Sequence, residues 1–210
     1  MKESKIQSLF LKLNESTPKS ETELYHKNTF ELLISVILSA QATDVSVNKA
    51  TPKLFEAFPT PEAMYNAGAK KIWSYIRSIG LAPTKSKNII TTCKQLIENH
   101  ASQVPQNRDE LTSLAGVGRK TANVILNTAF GHSVIAVDTH IFRISNRTGL
   151  APAKTVLKVE KKLMKVVPKK WKKKAHNLLI LHGRYTCKSQ NPNCLSCVIS
   201  DECEYPDKKL

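Results

Sequence analysis

The sequence predicts an all-α fold. Three observations support this: apolar residues recur three and four apart along most of the chain, prolines and glycines fall between those stretches, and no sustained two-residue alternation appears. In chain order, Ile6, Leu9, Phe10 and Leu13 make one apolar face, and Leu32, Leu33, Val36 and Ile37 make another. Thr43-Asp44 is a natural N-cap for a helix carrying Val47, Leu54 and Phe58. Lys85 to His100 follows, with Ile89, Ile90, Cys93, Leu96 and Ile97 on its apolar side, and then a short helical stretch from Asp109 to Leu114. Thr121 to Phe130, His140 to Thr148, Val156 to Val167 and Trp171 to Tyr185 complete the set. The breaks fall at Pro59 and Pro61, Gly80 to Pro83, Pro105, Gly131, Gly149 to Pro152, and Pro168. Ser133 to Val137 is the one short stretch that could alternate as a strand, and no internal repeat is visible.

At 210 residues the chain can bury a core as one large domain or two small ones. Thirty-two Lys and Arg against seventeen Asp and Glu leave a formal charge of +15. That excess points to a polyanionic partner, with nucleic acid first. A membrane-spanning role is excluded because the longest apolar run, Leu32 to Ala40, is about half the ~20 residues a span requires. It reads as a buried helix. The N-terminus carries acidic residues and no apolar export segment, so the expected location is the bacterial cytoplasm. Cysteine usage agrees with a reducing compartment: four of the five cysteines crowd between Cys187 and Cys203, and Cys93 stands alone on an apolar helix face as a small core residue.

The segment Leu114-Ala-Gly-Val-Gly-Arg-Lys-Thr-Ala122 lies between two helical stretches. Gly116 and Gly118 can take positive φ and turn backbone amides outward where side chains would block an approaching phosphate. The helix that follows adds its N-terminal dipole, while Arg119 and Lys120 put positive charge at the tip. A Gly-x-Gly step is often only a tight turn, but this helix, hairpin, helix setting suits a sequence-independent, salt-sensitive grip on nucleic-acid backbone. Chemistry would need Lys120 and Asp138, the latter in Val137-Asp-Thr-His140. Taken singly they read as an exposed lysine and a helix N-cap. Together they offer an amine nucleophile and a carboxylate to accept its proton.

The second strong signal is Cys187-x6-Cys194-x2-Cys197-x5-Cys203. Four thiolates within so short a stretch can close round an iron–sulfur cluster, with Pro192, Asn193 and Ser196 allowing tight turns. Zinc is the alternative, although structural zinc sites usually pair two close-spaced knuckles and only one Cys-x2-Cys is present.

In combination, the hairpin motif, the Val-Asp-Thr-His segment and the cysteine quartet resemble the endonuclease III family of base-excision DNA glycosylases and lyases, in the helix-hairpin-helix superfamily. Leu38-Ser-Ala-Gln-Ala-Thr-Asp44, Ile79-Gly-Leu81 and Leu181-His-Gly-Arg-Tyr-Thr-Cys187 also match, so the similarity spans nearly the whole chain. The resemblance implies two helical lobes with a DNA-binding cleft between them and a C-terminal iron–sulfur loop. One lobe is a six-helix module, residues 25–131, with the helix-hairpin-helix at about 109–128; the other is a cluster domain of residues 1–24 and 132–210. It implies Lys120 as nucleophile and Asp138 as catalytic carboxylate, removing oxidised pyrimidines from duplex DNA and nicking abasic sites. Gly116, Val117, Gly118, Arg119 and His140 would contact DNA, and Gln41 and Leu81 would fill the space left by a flipped nucleotide. Cys187, Cys194, Cys197 and Cys203 would bind one 4Fe–4S cluster in a monomer.

Many relatives carry proline where this chain has Ala115, which should loosen the hairpin slightly. For Leu81, ordinary core packing competes with the wedge role. Two other functions remain open: an adenine-mismatch glycosylase of the same superfamily, which ordinarily lacks the hairpin lysine, and a DNA-binding module without catalysis. Lys169 to Lys174 reads as a solvated helix start adding diffuse attraction to DNA.

Overall fold

Short polar side chains start six of the helices. Asn28 accepts from the Glu31 amide at 2.9 Å, Thr43 from Ser46 at 3.2 Å, Thr60 from Ala63 at 3.2 Å and Asn107 from Glu110 at 2.9 Å. Asp138 accepts from Ile141 at 2.8 Å, and Thr155 from Lys158 at 3.3 Å. Each satisfies an amide that the first turn leaves without an intrahelical partner. The computed structural model describes residues 1–17 and 22–208. Among them the helices are α1 (Glu3–Ser16), α2 (Thr29–Ser39), α3 (Asp44–Ala57), α4 (Pro61–Ile76), α5 (Ala82–His100), α6 (Arg108–Ser113), α7 (Arg119–Thr128), α8 (Thr139–Arg147), α9 (Val156–Val166) and α10 (Lys172–Tyr185). There is no strand among the described residues; the stretch from Ser133 to Val137 is irregular, with Ile135, Ala136 and Val137 buried.

The chain divides into two compact units, one of Thr22–Phe130 and one of Met1–Glu21 with Gly131–Leu210. In the first, α2 is the centre: every residue from Phe30 to Leu38 is buried, and α3, α5 and α7 pack on it. An apolar run with no polar face needs partners on all sides, which is why this segment is a core helix. No described helix is long and apolar enough to cross a membrane.

The helix α4 lies where the sequence reading placed only a break. Pro61 stands in its first turn, where a missing amide costs nothing, and Gly68, at φ +74°, interrupts the helical path midway. The break disturbs the apolar period, leaving Met64, Ile72 and Ile76 to mark the buried side. The same effect moves the start of α5 forward from Lys85 to Ala82, because Pro83 belongs to its first turn. Cys93 is fully buried on α5, and burial pushes its thiol up to about 12, consistent with an inert core residue.

In the second unit, Ile6, Leu9, Phe10 and Leu13 of α1 join Ile141 and Ile144 of α8, Val159 and Leu163 of α9, and Leu178 and Leu179 of α10 in one core. Trp171 stacks on Phe10 at 6.3 Å between ring centroids, so the lysine run around it is anchored by an aromatic pair. Glu202 ties α1 to the C-terminal loop, accepting from the Ser8 hydroxyl at 2.6 Å and pairing with Lys12 at 3.0 Å. Although burial works against the charge, these partners hold its carboxyl below the usual range.

Helices α8 and α10 pack tightly at Gly183. A Cβ there would lie 2.8 Å from the His140 Cβ and 3.0 Å from the Ile144 Cδ1. Gly183→Ala is therefore expected to force α8 away from α10 and destabilise this unit by about 1–3 kcal/mol. Guanidinium unfolding followed by circular dichroism would show the lowered midpoint, and an unchanged midpoint would contradict the tight packing.

Candidate functional site

The hairpin between α6 and α7 is held by α5. Leu114 and Val117 are buried, and the Val117 amide closes the turn on the Leu114 carbonyl at 3.1 Å. Val117 thus anchors the turn from inside. Gly116 adopts φ +75°, and a Cβ on it would come within 2.9 Å of the Asn88 Nδ2. Gly118 differs from the expectation of positive φ: its backbone is extended at φ −90°, and a Cβ there would meet nothing within 4 Å. Its lack of a side chain leaves open space at the start of α7, whose N-terminus has no side-chain cap. The first-turn amides of α7 form an anion-attracting end beside the exposed Arg119 and Lys120.

Gln41 and Leu81 also belong to this unit. Both are exposed and both have left-handed backbones, φ +54° and +61°. Leu81 is 55% exposed, so core packing does not account for it. Their turns are neighbours, because a Cβ on Gly80 would lie 3.7 Å from the Gln41 carbonyl oxygen. Two side-chain-bearing residues in a sparsely allowed region, adjacent and solvent-facing, are the kind of strain that persists at functional positions.

In the second unit, Asp138 and His140 stand at the start of α8, each half-buried. One Asp138 oxygen caps the helix through Ile141. The His140 Nδ1 lies 3.2 Å from the Arg143 Nη2. A guanidinium can only donate, so Nδ1 accepts and the ring proton resides on Nε2, leaving an N–H donor on the opposite edge. Arg143 also donates to the carbonyls of Cys187 at 3.0 Å and Gly183 at 2.8 Å. One turn later Arg147 donates to the carbonyls of Lys188 and Ser189, at 2.6 and 2.9 Å, and lies 3.7 Å from the Cys187 sulfur. Helix α8 thus carries Asp138 at one end and grips the start of the cysteine loop with the other.

The four loop cysteines are unpaired thiols lining a single pocket. His182 and Lys208 flank it: His182 Nε2 is 3.6 Å from the Cys197 sulfur, and Lys208 donates to the carbonyls of Ser200 and Cys203 at 2.9 and 3.0 Å. Burial pushes the Cys197 and Cys203 thiols up and holds the His182 imidazole down to about 4. Among the described residues, no three His, Cys, Asp or Glu side chains converge as tightly as a single metal ion requires.

Comparison with known proteins agrees with this layout. Residues 34–169 match the model for the HhH-GPD superfamily base excision DNA repair protein. The chain is 57% identical to endonuclease III of Haemophilus influenzae over 99% of both chains, and 55% identical to endonuclease III of Escherichia coli K12 over 99% of both. It belongs to the endonuclease III family. Among solved structures, a trapped endonuclease III–DNA covalent intermediate superposes with a TM-score of 0.91 at 44% identity, covering 97% of this chain and 96% of that one. A thermostable thymine-DNA glycosylase matches with a TM-score of 0.87 over 96% of both chains at 21% identity, a likeness of fold alone.

Within the endonuclease III family, the Ala115 departure has a local counterpart. The Ala115 amide, which a proline would lack, donates to the Gln95 Oε1 at 2.9 Å. The Gln95 Nε2 donates in turn to the Ser113 carbonyl at 2.9 Å, and the Thr92 hydroxyl to the Ala115 carbonyl at 2.7 Å. Asn88, Thr92 and Gln95 therefore form one stripe of α5 that holds the hairpin from below. Tethering by side chains replaces the rigidity of a fixed φ. None of the three stood out in the sequence. Their i, i+4, i+7 spacing on a helix flanking a Gly-x-Gly motif was the available signal. Arg143 and Arg147 were missed for a similar reason, since their partners are backbone carbonyls more than 35 residues away.

Proposed function

We propose that the chain is a bifunctional base-excision enzyme that removes oxidised pyrimidines from duplex DNA and cleaves abasic sites by β-elimination, acting as a monomer. The observation that carries this reading is Lys120: an exposed amine at the uncapped start of α7, beside a glycine turn that leaves room for a phosphate. The solved covalent enzyme–DNA intermediate of a 44% identical relative supports a covalent step in the reaction.

In this mechanism the hairpin amides and Arg119 hold the DNA backbone through Gly116 and Gly118, while Val117 shapes the turn. A damaged nucleotide turns out of the stack, because an amine cannot approach C1′ of a stacked sugar productively. Gln41 and Leu81 enter the space it vacates. The His140 Nε2–H is a donor for the DNA backbone. Lys120 attacks C1′, the base leaves, and the opened sugar is held as a Schiff base to Nζ. Loss of the C2′ proton then expels the 3′ phosphate, and water hydrolyses the remaining Schiff base, which frees the Lys120 amine and leaves an unsaturated aldehyde on the nicked strand. Asp138 takes the proton from Lys120 and stabilises cationic character on the sugar as the base departs.

Cys187, Cys194, Cys197 and Cys203 would hold a 4Fe–4S cluster. Their fit rests on donor chemistry: four thiols line one pocket, with the Arg147 guanidinium and the Lys208 ammonium beside it to offset thiolate charge. The cluster would order the loop; no step of the reaction passes through it.

Borohydride trapping tests the reaction. Incubated with duplex DNA containing an abasic site or an oxidised thymine, the protein is expected to form a covalent adduct, and failure with both substrates would refute the lyase reading. The purified protein is also expected to be brown, with broad absorbance at about 400 nm. A colourless, zinc-loaded protein would overturn the cluster assignment.

A further inference from the structure

The two turns proposed to enter the duplex are joined by a buried lysine. Lys85, on α5, is 4% exposed, and its Nζ donates to the Leu38 carbonyl at 2.8 Å. Leu38 lies in the last turn of α2, three residues before Gln41, and Lys85 lies four residues after Leu81.

The end of α2 explains what that bond does. Its last four carbonyls have no intrahelical partners of the ordinary kind. The Ser39 hydroxyl donates to the Val36 carbonyl at 2.9 Å, the Ala40 amide to Ile37 at 3.5 Å and the Ala42 amide to Ser39 at 3.1 Å. Leu38 is left, and Lys85 fills it. No carboxylate pairs with this ammonium among the described residues, and burial pushes it below its ordinary value. It also sits in the first turn of its own helix, the wrong end of that dipole for a cation. A methionine of similar length would avoid both costs, so packing alone does not account for the charge. What the ammonium adds is a directed link between the C-terminus of α2 and the start of α5. Those are the two helix ends from which Gln41 and Leu81 project in strained conformations that their surroundings must impose.

We propose that Lys85 is a positioning residue for strand separation, fixing the Gln41 and Leu81 turns at one spacing so that both side chains enter the duplex together. This rests on the reading of Gln41 and Leu81 as the residues that fill the vacated stack.

The test compares borohydride trapping on an abasic site in a duplex with trapping on the same oligonucleotide as a single strand, which offers no stack to open. Lys85→Met is expected to lower the duplex-to-single-strand rate ratio about tenfold, the size of one charge-assisted hydrogen bond, with single-strand trapping retained. Lys85→Arg, which keeps a cationic donor, is expected to restore most of the ratio. Lys85→Gln, neutral and shorter, should repeat the loss and keeps the test standing if the methionine variant does not fold. Equal losses on both substrates, or no loss, would overturn the role of Lys85. The Leu81→Ala variant reads the wedge itself: an unchanged ratio there would refute the underlying assignment, whereas a lowered ratio there with normal Lys85 variants would refute only the positioning role.

Discussion

Replacing Lys120 with alanine is expected to abolish the borohydride-trapped adduct and to reduce strand cleavage by at least about a thousandfold. The substitution should leave the fold intact. Lys120 is exposed in the first turn of α7, and alanine is a better helix former, so the hairpin and the helix should persist. Gel-shift titration on duplex DNA would separate the outcomes: binding weakened only by the loss of one cation, with no adduct, supports the amine as nucleophile. Trapping that persists in the alanine variant would remove Lys120 from the mechanism and leave the hairpin as a grip without chemistry.

Asp138→Asn is expected to slow base release by about 10²–10³-fold, near the 3–4 kcal/mol lost when a group stabilising transition-state charge is removed. The choice of asparagine follows from the geometry. Asp138 caps α8 through the Ile141 amide, and an asparagine oxygen accepts the same bond, so the helix start and the His140 and Arg143 contacts behind it should survive. Alanine would confound the result by removing the cap as well, at about 1 kcal/mol. Single-turnover release from DNA with an oxidised thymine, set beside affinity for the same duplex, gives the reading. Normal turnover in the asparagine variant would show that Asp138 only caps a helix.

These experiments address one ambiguity at two positions: a residue can serve both fold and chemistry. Asp138 illustrates it, since the N-cap read from sequence is real and yet uses only one acceptor of a carboxylate. Leu81 shows the opposite case. Core packing competes closely with the wedge role for a leucine in a Gly/Pro loop, and only its 55% exposure and left-handed φ separate them.

The local chemistry of the chain was legible because it depends on neighbours in sequence. Helix starts follow from short polar side chains within three residues of the amides they accept, as at Asn28, Thr43 and Asn107. The core helix α2 follows from nine successive buried residues with no polar face. The cysteine spacing and the Gly-x-Gly hairpin are likewise short-range patterns. Helix α4 escapes the sequence reading because a local signal misleads: Pro61 reads as a break although it starts the helix, and Gly68 interrupts the apolar period midway.

The sequence by itself therefore determined the all-α class, the hairpin, the cysteine quartet and the residues able to do chemistry, since backbone preference and apolar period act over a few residues. The tertiary structure decided how those residues are held. The Asn88, Thr92 and Gln95 stripe under the hairpin, the grip of Arg143 and Arg147 on the cysteine loop, and the Lys85 link between two strained turns join atoms up to 47 residues apart. Such bonds depend on which surfaces the packed core brings together; helical spacing can mark a stripe such as Asn88, Thr92 and Gln95, but it does not name the partner the stripe meets.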